Sequence, residues 1–258
     1  MGSYIARELK KALKRRYTYS YVLGILALCL LANIAIMAFR TIYGTNEGTY
    51  AYNLIEYATW CFVIPYYSCI FIADMAFGKE YPNPYIKDNV TKKLGRVQIY
   101  FSKLITEIIL AAVFVAIAFV LLISITTVFQ FRDGTISAYT IKDFSQKMLY
   151  ATPLWIAGIS FGNMFLFLFE DKKKAYIWFF VLTFAFPRIV MQLAAEPLEL
   201  APFKFIRTYL ITQNFSLLPY PADPTRNIPL TIALGFIYAA IACVIGVVYY
   251  KKKKVDYK

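Results

Sequence analysis

The chain has 258 residues, of which 60% are hydrophobic, 18% aromatic and only 17% charged, and its formal net charge is +13. A soluble domain carries roughly 45–50% apolar and about 25% charged residues, so this composition excludes an ordinary soluble protein and indicates a membrane protein. The chain contains no histidine and no GxxxxGK[ST] sequence. We therefore expect no catalytic site, no metal site and no ATP site in this chain.

The first predicted element is a basic amphipathic helix over residues 4–16. Ile5, Leu9 and Leu13 recur at intervals of four residues, and the basic residues fall on the other faces. This pattern predicts a helix that lies along the cytoplasmic membrane surface. A solvated basic tail that only sets the topology is the alternative.

Six long apolar blocks follow in chain order. Each is long enough for the ~20 helical residues that cross a hydrocarbon core, and continuous apolarity without two-residue alternation indicates helices. We therefore predict an all-α membrane protein with a single transmembrane domain over residues 1–258. The predicted transmembrane helices are residues 17–39, 57–77, 97–129, 148–169, 175–195 and 228–250. Pro153 is interpreted as a proline that starts the fourth helix.

The orientation of the six helices follows from the basic residues. With both termini in the cytoplasm, the four inside segments hold 6, 6, 3 and 5 Lys or Arg residues, whereas the three outside segments hold 1, 3 and 3. This asymmetry satisfies the positive-inside rule, so we predict cytoplasmic termini. The excess positive charge then faces anionic lipid headgroups. We expect no binding of nucleic acid, because the basic residues are spread over four segments.

The segment between the second and third blocks has the pattern of a short helix. Asn83 can cap it, Pro84 fits its first turn and Gly95 suits the position after its end, which predicts a cytoplasmic helix over residues 84–94. Its apolar ridge is Tyr85, Ile86, Val90 and Leu94. A helix of about 11 residues is unstable alone in water, so it must dock. The membrane surface and a groove on a soluble protein are the two possible partners.

The end of the fifth block and the segment after it carry further signals. Arg188 lies inside the fifth predicted helix. It is either a charge of a transport path or partner contact, or an arginine that extends to the outer surface. The outer segment over residues 196–227 is partly apolar but interrupted by prolines. We predict one or two short helices there, with Pro202 at the start of one.

These features together resemble the permease subunits of ABC-2 type exporters. The resemblance rests on the basic N-terminal helix, the six-helix topology and the long outer segment, and at residue level on Asp74 to Lys103. That region holds an Asp-x-x-x-Gly-like turn at Asp74 and Gly78, and a Gly-Arg-x-x-x-Tyr-x-x-Lys run at Gly95, Arg96, Tyr100 and Lys103. Asn83-Pro84 departs from the small-residue pair that many family members have at the start of the loop helix.

The resemblance implies a division of labour between chains. Two permeases pair, as a homodimer or heterodimer, and each lays its loop helix on a separately encoded ATPase subunit that binds ATP and Mg²⁺. The implied docking residues are Tyr85, Ile86, Val90, Lys92, Lys93 and Leu94. Asp74, Gly78 and Arg96 would support the turn before the helix, with Asp74 accepting hydrogen bonds or pairing with a basic residue. Asp74 is alternatively a helix-end carboxylate in the headgroup zone.

The expected function is export of an amphipathic substrate, and small permeases of this kind often move peptides. The expected location is the bacterial plasma membrane. The alternative is an ATP-independent membrane protein, either a secondary transporter or a scaffold that recruits a cytosolic partner. Asp74 and Glu107 are placed near the cytoplasmic ends of their helices, which leaves Arg188 as the only charge deep in a span. Ion-coupled carriers generally carry midplane charges, so this distribution favours an external source of energy.

Overall fold

The computed structural model describes residues 2–43, 50–77, 94–129, 136–220 and 223–252. Within these ranges the chain is helical and contains no strand, which confirms the all-α class. The helices are α1 (Gly2–Leu13), α2 (Arg16–Tyr43), α3 (Tyr50–Trp60), α4 (Val63–Phe77), α5 (Arg96–Phe129), α6 (Ala138–Leu168), α7 (Lys172–Phe180), α8 (Phe186–Ala194), α9 (Ala201–Tyr209), α10 (Ile211–Leu217) and α11 (Ile228–Lys252). A π-helical segment, Val181–Ala185, joins α7 to α8.

Five continuous helical segments of the described chain are long and apolar enough to cross a membrane. They are Arg16–Phe39, Arg96–Phe129, Ala138–Leu168, Lys172–Ala194 and Ile228–Lys252. A sixth span results if α3 and α4 count as one, although the two helices meet at an angle of 57°. The protein is therefore a multi-pass membrane protein with five continuous candidate spans in its described part, and with six if the bent pair forms one span.

The bent second span corrects the prediction of one continuous helix over residues 57–77. The helix breaks at Cys61 and Phe62. Pro65 explains the position, because a proline has no N–H for the carbonyl four residues earlier and its ring collides with that carbonyl. That carbonyl belongs to Cys61, and it accepts a hydrogen bond from the Ile64 N–H instead, at 2.9 Å. The chain thus turns where its regular hydrogen bonds are interrupted.

Trp155 of α6 holds the bend in place. Its indole Nε1 donates a hydrogen bond of 2.9 Å to the Phe62 carbonyl, and its ring lies edge-on to the Phe62 ring at 5.5 Å between centroids. Phe215 of α10 reaches the same region and packs on Tyr66, with centroids 5.6 Å apart. The bend is therefore contacted by α6 and by the short helix α10, whose Phe215 ring also lies 6.4 Å from the Trp155 ring.

Trp155→Phe is expected to destabilise the protein by about 1–3 kcal/mol, because the buried Phe62 carbonyl loses its donor. The phenyl ring retains much of the apolar contact. The measurement is thermal or denaturant unfolding of the purified protein in detergent. Trp178→Phe is the control, since Trp178 is 51% exposed and its substitution should change little. Equal stability of the two variants would contradict a structural role for the indole N–H.

Pro187 and Pro153 each lie within a continuous helical segment. Pro187 follows the π segment, in which the Phe186 N–H bonds the Val181 carbonyl five residues earlier. Such a widened turn accommodates a residue that cannot donate. Pro153 lies in the interior of α6, well after its start at Ala138, so its interpretation as a helix-start proline is wrong. The apolar pattern predicted a helix from residue 148 and did not include the more polar turns of α6 at residues 138–147.

The core of the protein is built around α6. In the most apolar 18-residue stretch of α6, 83% is buried inside the protein. The contact between α6 and α11 is the most extensive of the described helix pairs. Gly235 makes this contact possible, because a Cβ there would lie 2.5 Å from the Pro153 carbonyl carbon. By contrast, only 6% of the corresponding stretch of α2 is buried. The first span therefore lies at the periphery of the single chain.

Candidate functional site

The predicted docking helix falls mainly on residues that the structure does not describe. Gly78, Tyr85, Ile86, Val90, Lys92 and Lys93 lie outside the described residues. Leu94 is described; it is half-buried and lies just before the start of α5. The flanking ends of α4 and α5 are described in full, and they carry a set of polar contacts that we call the α4-end cluster: Glu8, Arg15, Asp74, Met75, Ala76, Lys103, Lys172 and Tyr176.

The centre of the α4-end cluster is a buried ion pair. Lys103 of α5 and Glu8 of α1 are 0% and 1% exposed, and Lys103 Nζ lies 2.5 Å from Glu8 Oε2. Lys103 Nζ also donates to the Ala76 carbonyl at 2.8 Å. A buried pair is tolerated only where the remaining donors and acceptors are also satisfied. Here the pair joins three helices, α1, α4 and α5.

A second contact ties the junction of α1 and α2 to the end of α4. The Arg15 guanidinium donates to the Met75 carbonyl. The junction itself is fixed by the Thr18 hydroxyl, which donates to the Ala12 carbonyl at 2.6 Å. The last carbonyls of a helix have no partner within the helix and carry partial negative charge, so cations bind well there. Arg15 and Lys103 together satisfy two successive carbonyls of α4.

Asp74 forms a third contact at the same turn. Its carboxylate accepts from Lys172 Nζ at 2.5 Å and from the Tyr176 hydroxyl at 3.1 Å, both on α7. The structure therefore shows an ion pair, rather than a carboxylate that only faces the headgroups. Gly78, at the turn that Asp74 was predicted to support, lies outside the described residues. Asp74 links the second span to the fifth.

Arg96 contacts a different element. Its guanidinium donates to the Lys251 carbonyl at 2.8 Å and to the Tyr250 carbonyl at 3.4 Å, in the last turn of α11. This is again a cation at the carbonyl end of a helix. Arg96 thus anchors the start of α5 to the end of the sixth span. The sequence placed Arg96 with Asp74 and Gly78, whereas the described contacts of Arg96 are with α11.

The face of α1 that packs on the protein lies beside its apolar stripe. The buried residues of α1 are Tyr4, Glu8 and Ala12, whereas Leu13 of the stripe is 40% exposed. The buried face includes a carboxylate because Lys103 lies opposite it. The sequence predicted that the apolar stripe faces the membrane surface and gave no prediction for the face that packs on the protein. The polar residue of that packed face is Glu8, the only acidic residue of α1.

Arg188 and Glu107 do not belong to the α4-end cluster. Arg188 of α8 is exposed in the single chain and lies near Tyr67 of α4. Glu107 of α5 is 0% exposed, one turn beyond Lys103, and neither of its carboxylate oxygens has a hydrogen-bond partner among the described residues. The sequence gave Glu107 no role. Its burial is specific to the packing of α5 on the core, which the sequence does not reveal.

The α4-end cluster connects the end of α4 to several other helices. Three consecutive residues, Asp74, Met75 and Ala76, are bound by three different partners immediately before the predicted loop helix. After this loop, Arg96 and Lys103 fix the start of α5. The described residues on both sides of the loop are therefore connected to α1, α7 and α11 by polar contacts.

Comparison with known proteins decides the class. A family model described as "ABC-2 family transporter protein" matches residues 4–186, which is more than half of the chain. The chain belongs to the ABC-2 transporter family. It is a membrane subunit, or permease, of an ABC transporter, and a multi-pass protein of the bacterial plasma membrane. A search of curated proteins found no match. Every residue of the α4-end cluster lies within the matched part of the permease.

Several residues of the permease site were not recognised from sequence. Lys103 was quoted in the family-like run without a role, and Glu8, Lys172 and Tyr176 were not singled out. Their partners are distant in sequence, since Glu8 and Lys103 are separated by 95 positions. A lone acid in a basic helix and a lysine inside an apolar run were the signals available.

Proposed function

We propose that this permease is the membrane half of an ATP-driven exporter. It pairs with a second permease and with two separately encoded ATPase subunits, which bind ATP and Mg²⁺. The cargo is an amphipathic substrate, and a peptide is the class that we favour. Family membership supports an ABC ATPase as the working partner. Export, the composition of the complex and the cargo are our proposals.

One observation carries this proposal. The end of α4 and the start of α5 are each tied to other spans by buried or part-buried polar contacts, and the segment between them is the predicted docking helix. A loop helix that is pushed by a partner can move several spans only if its two ends are firmly connected to them. The α4-end cluster provides that connection. The permease sequence contains no P-loop, so in this proposal ATP is bound by another chain.

The docking proposal is tested by acidic substitution of the apolar ridge. Ile86→Asp with Val90→Asp should abolish co-purification with the separately encoded ABC ATPase, because two carboxylates cannot enter an apolar groove without large desolvation cost. The matched control is Lys87→Asp with Thr91→Asp, which has the same spacing on a neighbouring face. Retention of the ATPase by the ridge variant, or its loss from both variants alike, would overturn the assignment of this ridge.

The second candidate function is ion-coupled transport without an ATPase. The observation in its favour is Glu107, a buried carboxyl group inside a span and without a hydrogen-bond partner among the described residues. Intramembrane ionisable residues commonly mark ion or proton pathways. The two functions differ in their energy source, and this difference can be measured directly.

Glu107→Gln separates the two functions. In proteoliposomes that contain the permease and its ATPase, we expect ATP-driven transport of an amphipathic peptide to persist in this variant, because the amide keeps the shape of the carboxyl group. Transport should also stop when ATP is omitted. Transport driven by a proton gradient alone, and lost in Glu107→Gln, would support the ion-coupled function and contradict the exporter.

A further inference from the structure

A cavity of about 660 Å³ lies between the peripheral helix α2 and the body of the permease. Its walls are formed by α2, the bend of α3 and α4, and the middle parts of α5 and α6. Apolar and aromatic side chains dominate the wall, and they include Ile25, Leu28, Phe62, Phe114, Phe119 and Trp155. Sites for small molecules in proteins commonly have volumes of about 300–1,000 Å³, and the volume of this cavity lies in that range.

The cavity is elongated along the direction in which the spans cross the membrane. Along α2 it extends from Tyr17 to Ala32, which is about 22 Å at the helical rise of 1.5 Å per residue. This length covers much of a hydrocarbon core of about 30 Å. The lining residues belong to the candidate spans of the structure, so the surrounding solvent is hydrocarbon and not water. We call this space the α2 groove.

The two ends of the α2 groove differ in polarity. Near the start of α2, the Tyr21 and Ser68 hydroxyls are 2.7 Å apart and both line the groove. Directly before Tyr17 the chain carries Lys14, Arg15 and Arg16, and both Lys14 and Arg16 are exposed. The groove therefore has an apolar shaft and a basic rim at one end.

We propose that the α2 groove binds one acyl chain of an anionic phospholipid, with the phosphate headgroup at the rim formed by the exposed Lys14 and Arg16. The Arg15 guanidinium already binds the Met75 carbonyl and adds only its positive charge. Apolar cavities exclude water, and close packing disfavours empty space, so a hydrocarbon chain is the occupant that fits the shaft. The positive charge of the rim complements an anionic headgroup. This lipid site is independent of the proposed transport function, and its binding can be measured without an ATPase.

The bound acyl chain would pack against α2. Because α2 buries so little of its surface in the protein, a chain in the groove supplies contacts that the helix otherwise lacks. A ligand that binds only the folded state also raises its stability by mass action. Anionic lipid should therefore raise the temperature of unfolding of the permease in detergent, and a zwitterionic lipid with the same chains should raise it less.

The direct test uses Trp155 as a contact probe. Trp155 lines the groove and is only 8% exposed, whereas Trp60 and Trp178 are 50% and 51% exposed. In the full chain with Trp60→Phe and Trp178→Phe, Trp155 is the remaining tryptophan, since the sequence has three. This variant is reconstituted in bilayers of anionic phospholipid brominated near the methyl end of the acyl chain. We expect loss of most of the Trp155 emission relative to unbrominated lipid.

Two substitutions should block the groove from opposite walls. A Cβ at Gly24 would meet no atom within 4 Å, so Gly24→Leu has space and fills the groove from α2. Ala118→Leu fills it from α5. Both should restore the Trp155 emission and remove the lipid-dependent rise in unfolding temperature. Leu23→Phe is the control, because Leu23 is 62% exposed and does not line the groove.

Three results would overturn the proposal. The first is equal Trp155 emission in brominated and unbrominated lipid, which is also the result if a second copy of the permease covers the groove. The second is quenching that persists in both blocked variants, since the chain would then reach Trp155 by another route. The third is equal quenching and equal stabilisation by zwitterionic lipid, which would exclude the basic rim as the headgroup site.

Discussion

Lys103→Met should cost the permease about 3–5 kcal/mol of stability, because it leaves the Glu8 carboxylate buried without its main partner. Glu8 is 1% exposed and Lys103 is 0% exposed, so water cannot replace the lost ammonium group without rearrangement. The Ala76 carbonyl also loses a donor. The measurement is thermal unfolding in detergent, followed by ATPase stimulation in the assembled complex for any variant that remains folded.

Two controls separate the buried pair from a general effect of charge. Glu8→Met combined with Lys103→Met removes both charges and should recover more than half of the lost stability, because an apolar pair of similar volume often replaces a buried ion pair at little cost. Lys11→Met removes the other cation near Glu8, at 3.3 Å and 38% exposed, and should cost less than about 1 kcal/mol. If the double variant were less stable than Lys103→Met alone, the pair would not be the source of the effect.

Gly235→Ala should destabilise the permease by disturbing the contact between α6 and α11. Alanine favours a helix over glycine by roughly 0.5–1 kcal/mol, so the local effect is stabilising. The new Cβ would, however, lie 2.5 Å from the Pro153 carbonyl carbon, and backbone atoms of α6 cannot rotate away. Separating α6 and α11 is expected to cost about 1–3 kcal/mol more than alanine gains.

Gly24→Ala is the matched control for this substitution. Both glycines lie in spans, but a Cβ at Gly24 would meet nothing within 4 Å. This variant should be as stable as the parent protein or slightly more stable. Unfolding temperatures and the fraction of monodisperse protein in detergent are the readouts. Similar behaviour of the two variants would show that the contact between α6 and α11 is looser than the structure indicates.

The spans were predictable from sequence because continuous apolarity over ~20 residues has one explanation in a bilayer. The helix break at Cys61 was predictable in principle, since Pro65 lies four residues later, but the apolar pattern continues across it and hides it. A proline alone does not predict a helix break, as Pro153 shows. It lies inside an unbroken helix, where α11 packs closely against it.

The polar contacts of the site were less predictable for a different reason. Asp74 attracted attention because it interrupts an apolar run, but its partner Lys172 is 98 positions away in the chain. Which lysine of a basic loop faces a given carboxylate depends on how two spans pack, and no local pattern records that packing. Glu8 illustrates the same limit, because a single acid in a basic helix gains meaning only when Lys103 is placed opposite it.

The break in the second span divides that span into two helices, α3 and α4, that meet at an angle of 57°. The end of α4 that precedes the predicted docking helix is fixed by the contacts of Asp74, Met75 and Ala76. By contrast, α3 takes no part in those contacts and packs mainly on α6. The α4-end cluster therefore holds one half of the second span directly, and it reaches the other half through the bend that Trp155 holds.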